Sequence, residues 1–297
     1  MNRKSFILKL IVSLILIFLL LYKIKLQRIY ETLLSINLIY ISIVILITFI
    51  TILLGSVNIW ILFKGLDKKI KFRQIFHSYN ASWGLTLFAP SKTGELSLIY
   101  LLKKEGIDAG TSTAVYFFDK IITLIITILI ALIALLFLSP LDSLYVLISS
   151  IILIIIMFMI FISKKLIIKI LPKKLKNTIE QFYLTFDKIK NRKDLIIKNS
   201  FTTFCRASLT FISFYMLFLA FGIKINMIYI IVFNTLLTLA SLVPFTLSGL
   251  GLREVSAVYL FATIGIDHVI TANVYLINIV KKYLFALFLI IFSRLKI

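Results

Sequence analysis

The chain has 297 residues, of which 61% are apolar and only 15% are charged. Its mean hydropathy is +1.08, whereas water-soluble domains are nearer half apolar and a quarter charged. This balance excludes a soluble enzyme, a disordered chain and a nucleic-acid-binding domain. The excess of 33 Lys and Arg over 12 Asp and Glu instead indicates the basic cytoplasmic loops of a membrane protein.

Six apolar runs are each long enough to cross a bilayer, which takes about 20 residues. The first run also resembles the start of a signal peptide, but Lys23 and Lys25 follow it in place of a small-residue cleavage site, which favours a retained span. In chain order the predicted spans are Phe6–Tyr22, Ile36–Phe63, Thr111–Leu138, Leu141–Ser163, Asn199–Phe221 and Val269–Ser293.

Two further segments, Phe72–Lys104 and Asn226–Gly265, are moderately apolar and are interrupted near the middle by proline and glycine. Proline removes a backbone donor and clashes with the preceding helical turn. In lipid the exposed backbone groups need other partners, so broken helices occur where protein or a wet cavity surrounds them. Each segment is therefore either a kinked helix or pair of tight spans, or a re-entrant hairpin that enters the membrane and returns.

These two segments match each other as an internal repeat. Polar and special residues recur in the same order, at an offset of 154 residues before the break and 159 after it. The matched pairs are Asn80 with Asn234, Pro90 with Pro244, Glu95 with Glu254, Gly106-Ile-Asp108 with Gly265-Ile-Asp267, and Tyr116 with Tyr275. Chance matches between membrane segments involve mainly Leu and Val, so this set indicates a duplication.

The repeat also predicts a topology. If both segments are re-entrant, three spans separate them, so the two copies enter from opposite faces as an inverted repeat of the kind found in transporters. With the N-terminus inside, 23 Lys and Arg fall on the cytoplasmic side and four outside, as the positive-inside rule requires. Three of those four, Lys23, Lys25 and Arg28, lie in the first outer loop and are the exception to the pattern.

The predicted fold is therefore all-α: a polytopic membrane helical bundle of six crossing helices plus two re-entrant broken-helix hairpins. We expect one membrane domain over residues 1–297, with repeat copies at about 72–138 and 226–293. A basic link at 164–198 has apolar residues between its charges, which favours helices on the cytoplasmic surface held by anionic lipid head groups. The alternative is a solvated connector.

Ionisable residues at membrane depth cost about 2.5–3.5 kcal/mol each, so they usually face a cavity or a partner. Here they cluster on the repeat, where glycines let a ligand approach the backbone and the N-terminus of each half-helix favours an anion such as phosphate. The predicted substrate-binding residues are Lys92, Gly94, Glu95, Asp119, Lys120, Gly249, Gly251, Arg253, Glu254, Lys281 and Lys282.

Two of these predictions carry explicit alternatives. Glu95 and Glu254 fall in the first turn of a half-helix, so they either cap that helix or pair with Lys92 and Arg253, or they handle substrate or protons directly. The adjacent Lys281 and Lys282 fall near the middle of the sixth span. Two lysines exposed to lipid there would cost about 5–7 kcal/mol, which favours an interior cavity.

The two breaks resemble the signatures of the lysylphosphatidylglycerol synthase membrane-domain family, the flippase-like integral membrane proteins. The matching residues are Pro90-Ser-Lys-Thr-Gly-Glu95, Tyr100-Leu-Leu-Lys103 and Phe118-Asp-Lys-Ile121, followed by Ser248-Gly-Leu-Gly-Leu-Arg-Glu254 and Gly265-Ile266. The resemblance implies a multi-pass bundle with paired re-entrant helices that handles lipids with charged head groups. The sequence departs from the family pattern at Leu98, Thr123 and Ser248, where members often have Arg, Asp and Gly.

From these features we expect a flippase-like protein of the cell membrane, with both termini cytoplasmic, that translocates phospholipids or polyprenyl-phosphate-linked lipids. The single Cys205 and two histidines exclude a disulfide framework and make a metal site unexpected, and we expect no cofactor and no nucleic-acid partner. The aminoacyltransferase domain of some members and an ATP-binding Gly-x4-Gly-Lys-Ser/Thr motif are both absent from this sequence, so we do not expect an enzyme. The alternatives are a lipid-modifying transferase and an accessory subunit, and the expected partners are membrane lipids, with a homo-oligomer or a lipid-biosynthesis enzyme also open.

Overall fold

The computed structural model describes residues 3–24, 26–66, 70–88, 94–137, 151, 173–241, 246 and 249–292. Within these ranges the chain is helical, with no β-strand. The helices are α1 (Arg3–Ile24), α2 (Leu26–Leu34), α3 (Leu38–Gly65), α4 (Phe72–Phe88), α5 (Ser97–Lys104), α6 (Ala109–Leu135), α7 (Lys173–Lys190), α8 (Lys193–Ala220), α9 (Met227–Ala240), α10 (Leu252–Ala262) and α11 (His268–Phe292).

Five of these helices, α1, α3, α6, α8 and α11, are long and apolar enough to cross a membrane. They correspond to five of the six predicted spans, and the all-helical membrane bundle is confirmed. The remaining predicted span, Leu141–Ser163, lies outside the described residues apart from position 151. The inverted orientation of the two repeat copies depends on that span and stays a prediction.

The two interrupted segments form separate helices on either side of each break, as predicted. Phe72–Lys104 contains α4 and α5, and Asn226–Gly265 contains α9 and α10. Both breaks are centred on prolines, Pro90 and Pro244, that lie outside the described residues.

The matched Gly-Ile-Asp sequences form the same turn in both repeat copies. Gly106 and Gly265 have φ of 83° and 81°, a left-handed conformation that glycine adopts without strain and that commonly ends a helix. The next amide closes the turn in both places, with Ile107 N donating to Leu102 O and Ile266 N to Phe261 O, each at 3.1 Å. A shared local structure at these matched positions supports the duplication.

Each of these turns also starts the following span with an aspartate. Asp108 accepts a hydrogen bond from the backbone amide of Thr111 at 2.7 Å, and Asp267 accepts one from that of Val269 at 2.6 Å. The first amides of a helix have no intrahelical acceptor, so a carboxylate at this position stabilises the helix start.

Contacts divide the chain into two compact units. The first contains Met1–Ser56, Phe76–Leu98 and Ser208–Ile297, and the second contains Val57–Ile75 and Ile99–Ala207. The first unit has an aromatic core in which the Phe218 and Phe261 rings lie 4.9 Å apart. In the second unit α7 packs its aromatic face on α6, where the Phe118 and Phe186 rings are 5.4 Å apart.

Two local features differ from the sequence prediction. The first outer loop contains the amphipathic helix α2, and α8 begins at Lys193, six residues before the predicted start of the fifth span. The basic link is helical over Lys173–Lys190, as predicted, although its Phe182 and Phe186 contact rings of α6. Its predicted attraction to anionic head groups stays a prediction.

Candidate functional site

The first hairpin reverses direction between α4 and α5. The Ser82 hydroxyl donates to the Glu95 carbonyl at 3.1 Å although the two residues are 13 positions apart. A continuous helix would separate them by about 20 Å. A kinked but continuous helix is therefore excluded for this segment, and Glu95 lies beside the second half of α4.

Gly94 allows this close return of the chain. A Cβ atom at Gly94 would lie 2.5 Å from the Thr86 Cα and 2.6 Å from the Leu85 carbonyl oxygen. Both neighbours are backbone atoms, so no side chain could move aside. Backbone packing at the hairpin tip therefore requires glycine at position 94. A contact between Gly94 and a ligand stays a prediction.

The second hairpin ends in a glycine turn that Glu254 stabilises. Gly249 and Gly251 both have φ of 83°, so a side chain at either position would strain the backbone. The Glu254 carboxylate, only 3% exposed, accepts a hydrogen bond from the Gly251 amide at 2.7 Å. The helix cap that the sequence offered as one alternative for Glu254 is therefore present.

Asn234 connects the two arms of the second hairpin to α11. Its side-chain oxygen accepts hydrogen bonds from the Arg253 guanidinium at 3.2 Å and from the Tyr275 hydroxyl at 3.0 Å. Its amide group donates to the Ile230 carbonyl at 3.0 Å. The guanidinium also lies over the Phe214 ring, 5.5 Å from its centroid, so Asn234 and Phe214 together position Arg253.

The lysine pair lies near the middle of α11, as predicted from the sequence. Lys281 is partly buried and its ammonium donates to the Ser213 hydroxyl of α8 at 3.4 Å. The charges of Arg253 and Lys282 both act on the Glu254 carboxylate, and the charge of Arg253 also acts on Lys281. Among the described residues, these four side chains carry three positive charges and one negative charge, a combination suited to an anion.

Tyr283 links this charged cluster to the first hairpin. Its hydroxyl donates to the Leu87 carbonyl in the last turn of α4 at 3.1 Å, and its ring lies 5.4 Å from that of Phe88. The charge of Glu254 also acts on Tyr283. Through this one residue of α11, the end of the first hairpin arm and the carboxylate of the second come into the same neighbourhood.

An apolar cleft of about 670 Å³ lies against α11 and is lined in part by Lys281. Its walls come from α3 and α11 with Leu33 of α2, and Lys281 is its one charged lining residue. An apolar space with a cation in its wall matches the amphipathic character of a lipid. The main lining residues are Leu33, Val44, Ile45, Ile277, Val280, Leu284, Phe285 and Phe288.

Asp119 belongs to a separate polar network in the second unit. It is 1% exposed and its carboxylate accepts a hydrogen bond from the Asn199 amide at 3.3 Å. One turn further along α6, Thr123 accepts from the Arg206 guanidinium at 2.8 Å. The hydroxyl of Thr123, one of the departures from the family pattern, is therefore the acceptor for Arg206.

The other predicted residue of this unit, Lys120, has its ammonium 5.4 Å from the Tyr116 ring centroid, a cation–π contact. The substrate-binding role that the sequence predicts for Asp119 and Lys120 stays a prediction.

The predicted substrate-binding residues thus fall into three groups. The first group is the charged residues Arg253, Glu254, Lys281 and Lys282, which are linked pairwise by their charges. The second is Gly94, Glu95, Gly249 and Gly251 at the two hairpin turns, and the third is Asp119 and Lys120 in the second unit. Lys92 lies outside the described residues. Within the described residues no group of three or more His, Cys, Asp or Glu side chains is placed to hold a metal ion.

Sequence reasoning missed Tyr283 and Ser213. Tyr283 directly follows the lysine pair, and an aromatic residue with a polar end beside charges in a span is a usable signal. Ser213 has no such signal, because a single serine inside an apolar helix is common and usually bonds its own backbone.

The membrane-length helices define a polytopic helical membrane protein. The sequence also matches the model of a defined protein family. The chain belongs to the family of the lysylphosphatidylglycerol synthase TM region, whose model matches residues 6–289. No curated protein matches the chain.

Proposed function

We propose that this protein is a flippase-like membrane protein that binds lipids with anionic or charged head groups and moves them across the bilayer. One observation carries the proposal. Lys281 and Lys282 lie near the middle of the span α11, the charges of Arg253 and Lys282 act on the Glu254 carboxylate, and Lys281 lines an apolar cleft of about 670 Å³.

The physical argument concerns the cost of these charges. Each lysine at bilayer depth costs about 2.5–3.5 kcal/mol, so a protein retains two of them where a ligand or partner uses them. A lipid phosphate offsets that charge while its acyl part occupies the apolar cleft. The Glu254 carboxylate then limits the net charge and can accept a hydrogen bond from an amine or sugar hydroxyl of the head group.

Transport by this chain would be downhill, ion-coupled or driven by a partner, because the sequence has no ATP-binding Gly-x4-Gly-Lys-Ser/Thr motif. In this proposal the N- and C-termini face the cytoplasm, as the distribution of Lys and Arg favours.

The proposal is tested by reconstituting the full chain in liposomes that contain a fluorescent anionic phospholipid and measuring its movement between leaflets. We expect Lys281→Met with Lys282→Met, and separately Glu95→Gln with Glu254→Gln, to slow movement at least tenfold. A matched control, Lys64→Met with Lys71→Met, removes two exposed charges outside the predicted lipid-binding segments and should move lipid at the wild-type rate. Equal rates for the wild type and both site variants would refute the proposal.

The same vesicles distinguish the alternatives. Mass spectrometry of the lipids after incubation should find them unmodified, whereas a chemically altered lipid that depends on Glu254 would favour a transferase. Movement that appears only with a co-purifying membrane enzyme would favour an accessory subunit.

A further inference from the structure

A second pocket lies at the C-terminal end of α1, where four helices of the first unit meet. It has a volume of about 370 Å³ and is lined by residues of α1, α2, α10 and α11, including Leu16, Leu20, Lys23, Arg28, Tyr259 and His268. We call it the α1–α10 pocket. None of these residues belongs to the cationic cluster on α11.

The position of the α1–α10 pocket along the spans places it at the membrane surface. The apolar stretch of α1 ends at Ile24, and that of α11 begins at His268. The ends of two spans meet there, so the basic residues of the pocket are at head-group depth. Leu20 and Leu16 lie about one and two turns deeper on α1, level with the first part of the acyl chains.

The polar residues of the pocket are arranged to receive an anion. The Lys23 ammonium donates to the Tyr259 hydroxyl at 3.3 Å and lies 5.4 Å from the centroid of the same ring. Tyr259 accepts this bond, so its own O–H group can donate to a phosphate oxygen. Asp267 also lines the pocket, but its carboxylate accepts from the backbone amides of Val269 and Ile270 at 2.6 and 3.3 Å.

The basic residues of this pocket are also the exception to the charge distribution predicted for the chain. Lys23 and Arg28 are two of only four basic residues on the face predicted to be external, against 23 on the other. The positive-inside rule disfavours basic residues in this short loop. An anionic ligand bound on that face accounts for positions that the topology alone leaves unexplained.

A packed cluster holds the wall of the pocket in place. Leu20, Ile24, Ile29, Val258 and Ala272 form a hydrophobic core that joins α1, α2, α10 and α11. The Asn273 amide donates to the Ile29 carbonyl at 3.3 Å, which ties α2 to α11. The basic residues therefore project from helices with fixed positions.

From this arrangement we propose that the α1–α10 pocket binds the head group of an anionic phospholipid from the leaflet at the C-terminal end of α1. Lys23 and Arg28 contact the phosphate, Tyr259 donates to it, and Leu16 and Leu20 contact the upper acyl chain. This site is distinct from the proposed translocation site and does not depend on transport.

The test measures binding of phosphatidylglycerol to the purified full chain in detergent, by native mass spectrometry and by the lipid-dependent rise in melting temperature. Wild type should bind phosphatidylglycerol more tightly than phosphatidylcholine. Each basic residue near an anionic lipid contributes about a fivefold factor in affinity, so Lys23→Gln with Arg28→Gln should raise the Kd roughly 30-fold. Lys64→Gln with Lys71→Gln, a control that removes the same charge from exposed residues outside the predicted lipid-binding segments, should leave it unchanged.

Two further measurements make the outcome decisive. A photoactivatable phosphatidylglycerol should crosslink to α1 or α10 peptides in the wild type, and Tyr259→Phe, which keeps the ring, should weaken binding by less than the double variant. Equal Kd values for the Lys23/Arg28 variant and wild type, or an equal loss in the control, would overturn the proposal. Displacement of the lipid by inorganic phosphate at equal concentration would show a site for a soluble anion and overturn it as well.

Discussion

Replacing Asn234 tests the arrangement that holds Arg253 in the cationic cluster. The Asn234 side chain is 2% exposed, and its oxygen accepts from both Arg253 and Tyr275. In Asn234→Leu, a change of similar size, both donors lose their acceptor. A buried donor left without a partner costs about 1–3 kcal/mol, so we expect a loss of about 2–5 kcal/mol in the free energy of unfolding.

Two matched variants separate this effect from a loss of packing. Tyr275→Phe removes one donor and leaves the Asn234 oxygen bonded to Arg253, so we expect a loss of only about 0.6–1.5 kcal/mol, in the range of side-chain hydrogen bonds in membrane proteins. Asn234→Asp keeps the acceptor and adds a charge opposite the guanidinium, so it should be tolerated better than Asn234→Leu.

The measurement is reversible unfolding of each variant in mixed micelles with increasing denaturing detergent, followed by circular dichroism. An Asn234→Leu variant no less stable than Tyr275→Phe would show that the oxygen does not hold the two donors. So would an Asn234→Asp variant as unstable as Asn234→Leu.

Three other expectations concern backbone packing, the second unit and topology. Gly94→Ala should lower the melting temperature more than Gly106→Ala, because a Cβ at Gly94 would meet the backbone of α4 at 2.5 Å whereas a Cβ at Gly106 would meet no atom within 4 Å. Alanine at Gly106 bears only the cost of a positive φ, about 1–2 kcal/mol. Equal shifts in melting temperature would contradict the close approach at Gly94. Asp119→Leu should destabilise the protein by about 1–3 kcal/mol and Asp119→Asn by less, since asparagine keeps an acceptor for Asn199, as thermal unfolding in detergent will report. In a variant without the single native cysteine, a membrane-impermeant maleimide added to intact cells should label a cysteine at Ile266 and not one at Glu105; the reverse labelling would refute the predicted orientation.

The sequence was sufficient to predict features that depend on local pattern or on charge at membrane depth. Span lengths follow from apolar runs, and the α11 lysines fall near the centre of their helix as counted from the sequence. The repeated Gly-Ile-Asp was visible as a match, and its meaning is a shared turn followed by a helix cap. These features need few residues and no information about distant parts of the chain.

Other features depend on tertiary contacts and had no local signal. The bond from Tyr283 to the Leu87 carbonyl joins residues 196 positions apart, and any apolar helix offers many such carbonyls. Helix α2 was predicted as a loop because its nine residues are too polar for a span, although its apolar side packs with α1 and α11. Polar residues before Asn199 similarly concealed the early start of α8 at Lys193.

The contact between Tyr283 and Leu87 bears on how this half of the protein can rearrange. Carbonyls in the last turn of a helix receive no hydrogen bond from an amide of that helix. The Tyr283 hydroxyl therefore donates to a carbonyl that would otherwise need water. One hydrogen bond of this kind contributes about 0.5–1.5 kcal/mol, which corresponds to a change in rate of roughly twofold to tenfold. A rocking motion of α4 past α11 would therefore meet only a small obstacle at this contact, while Arg253, Asn234 and Tyr275 could travel together as one rigid group.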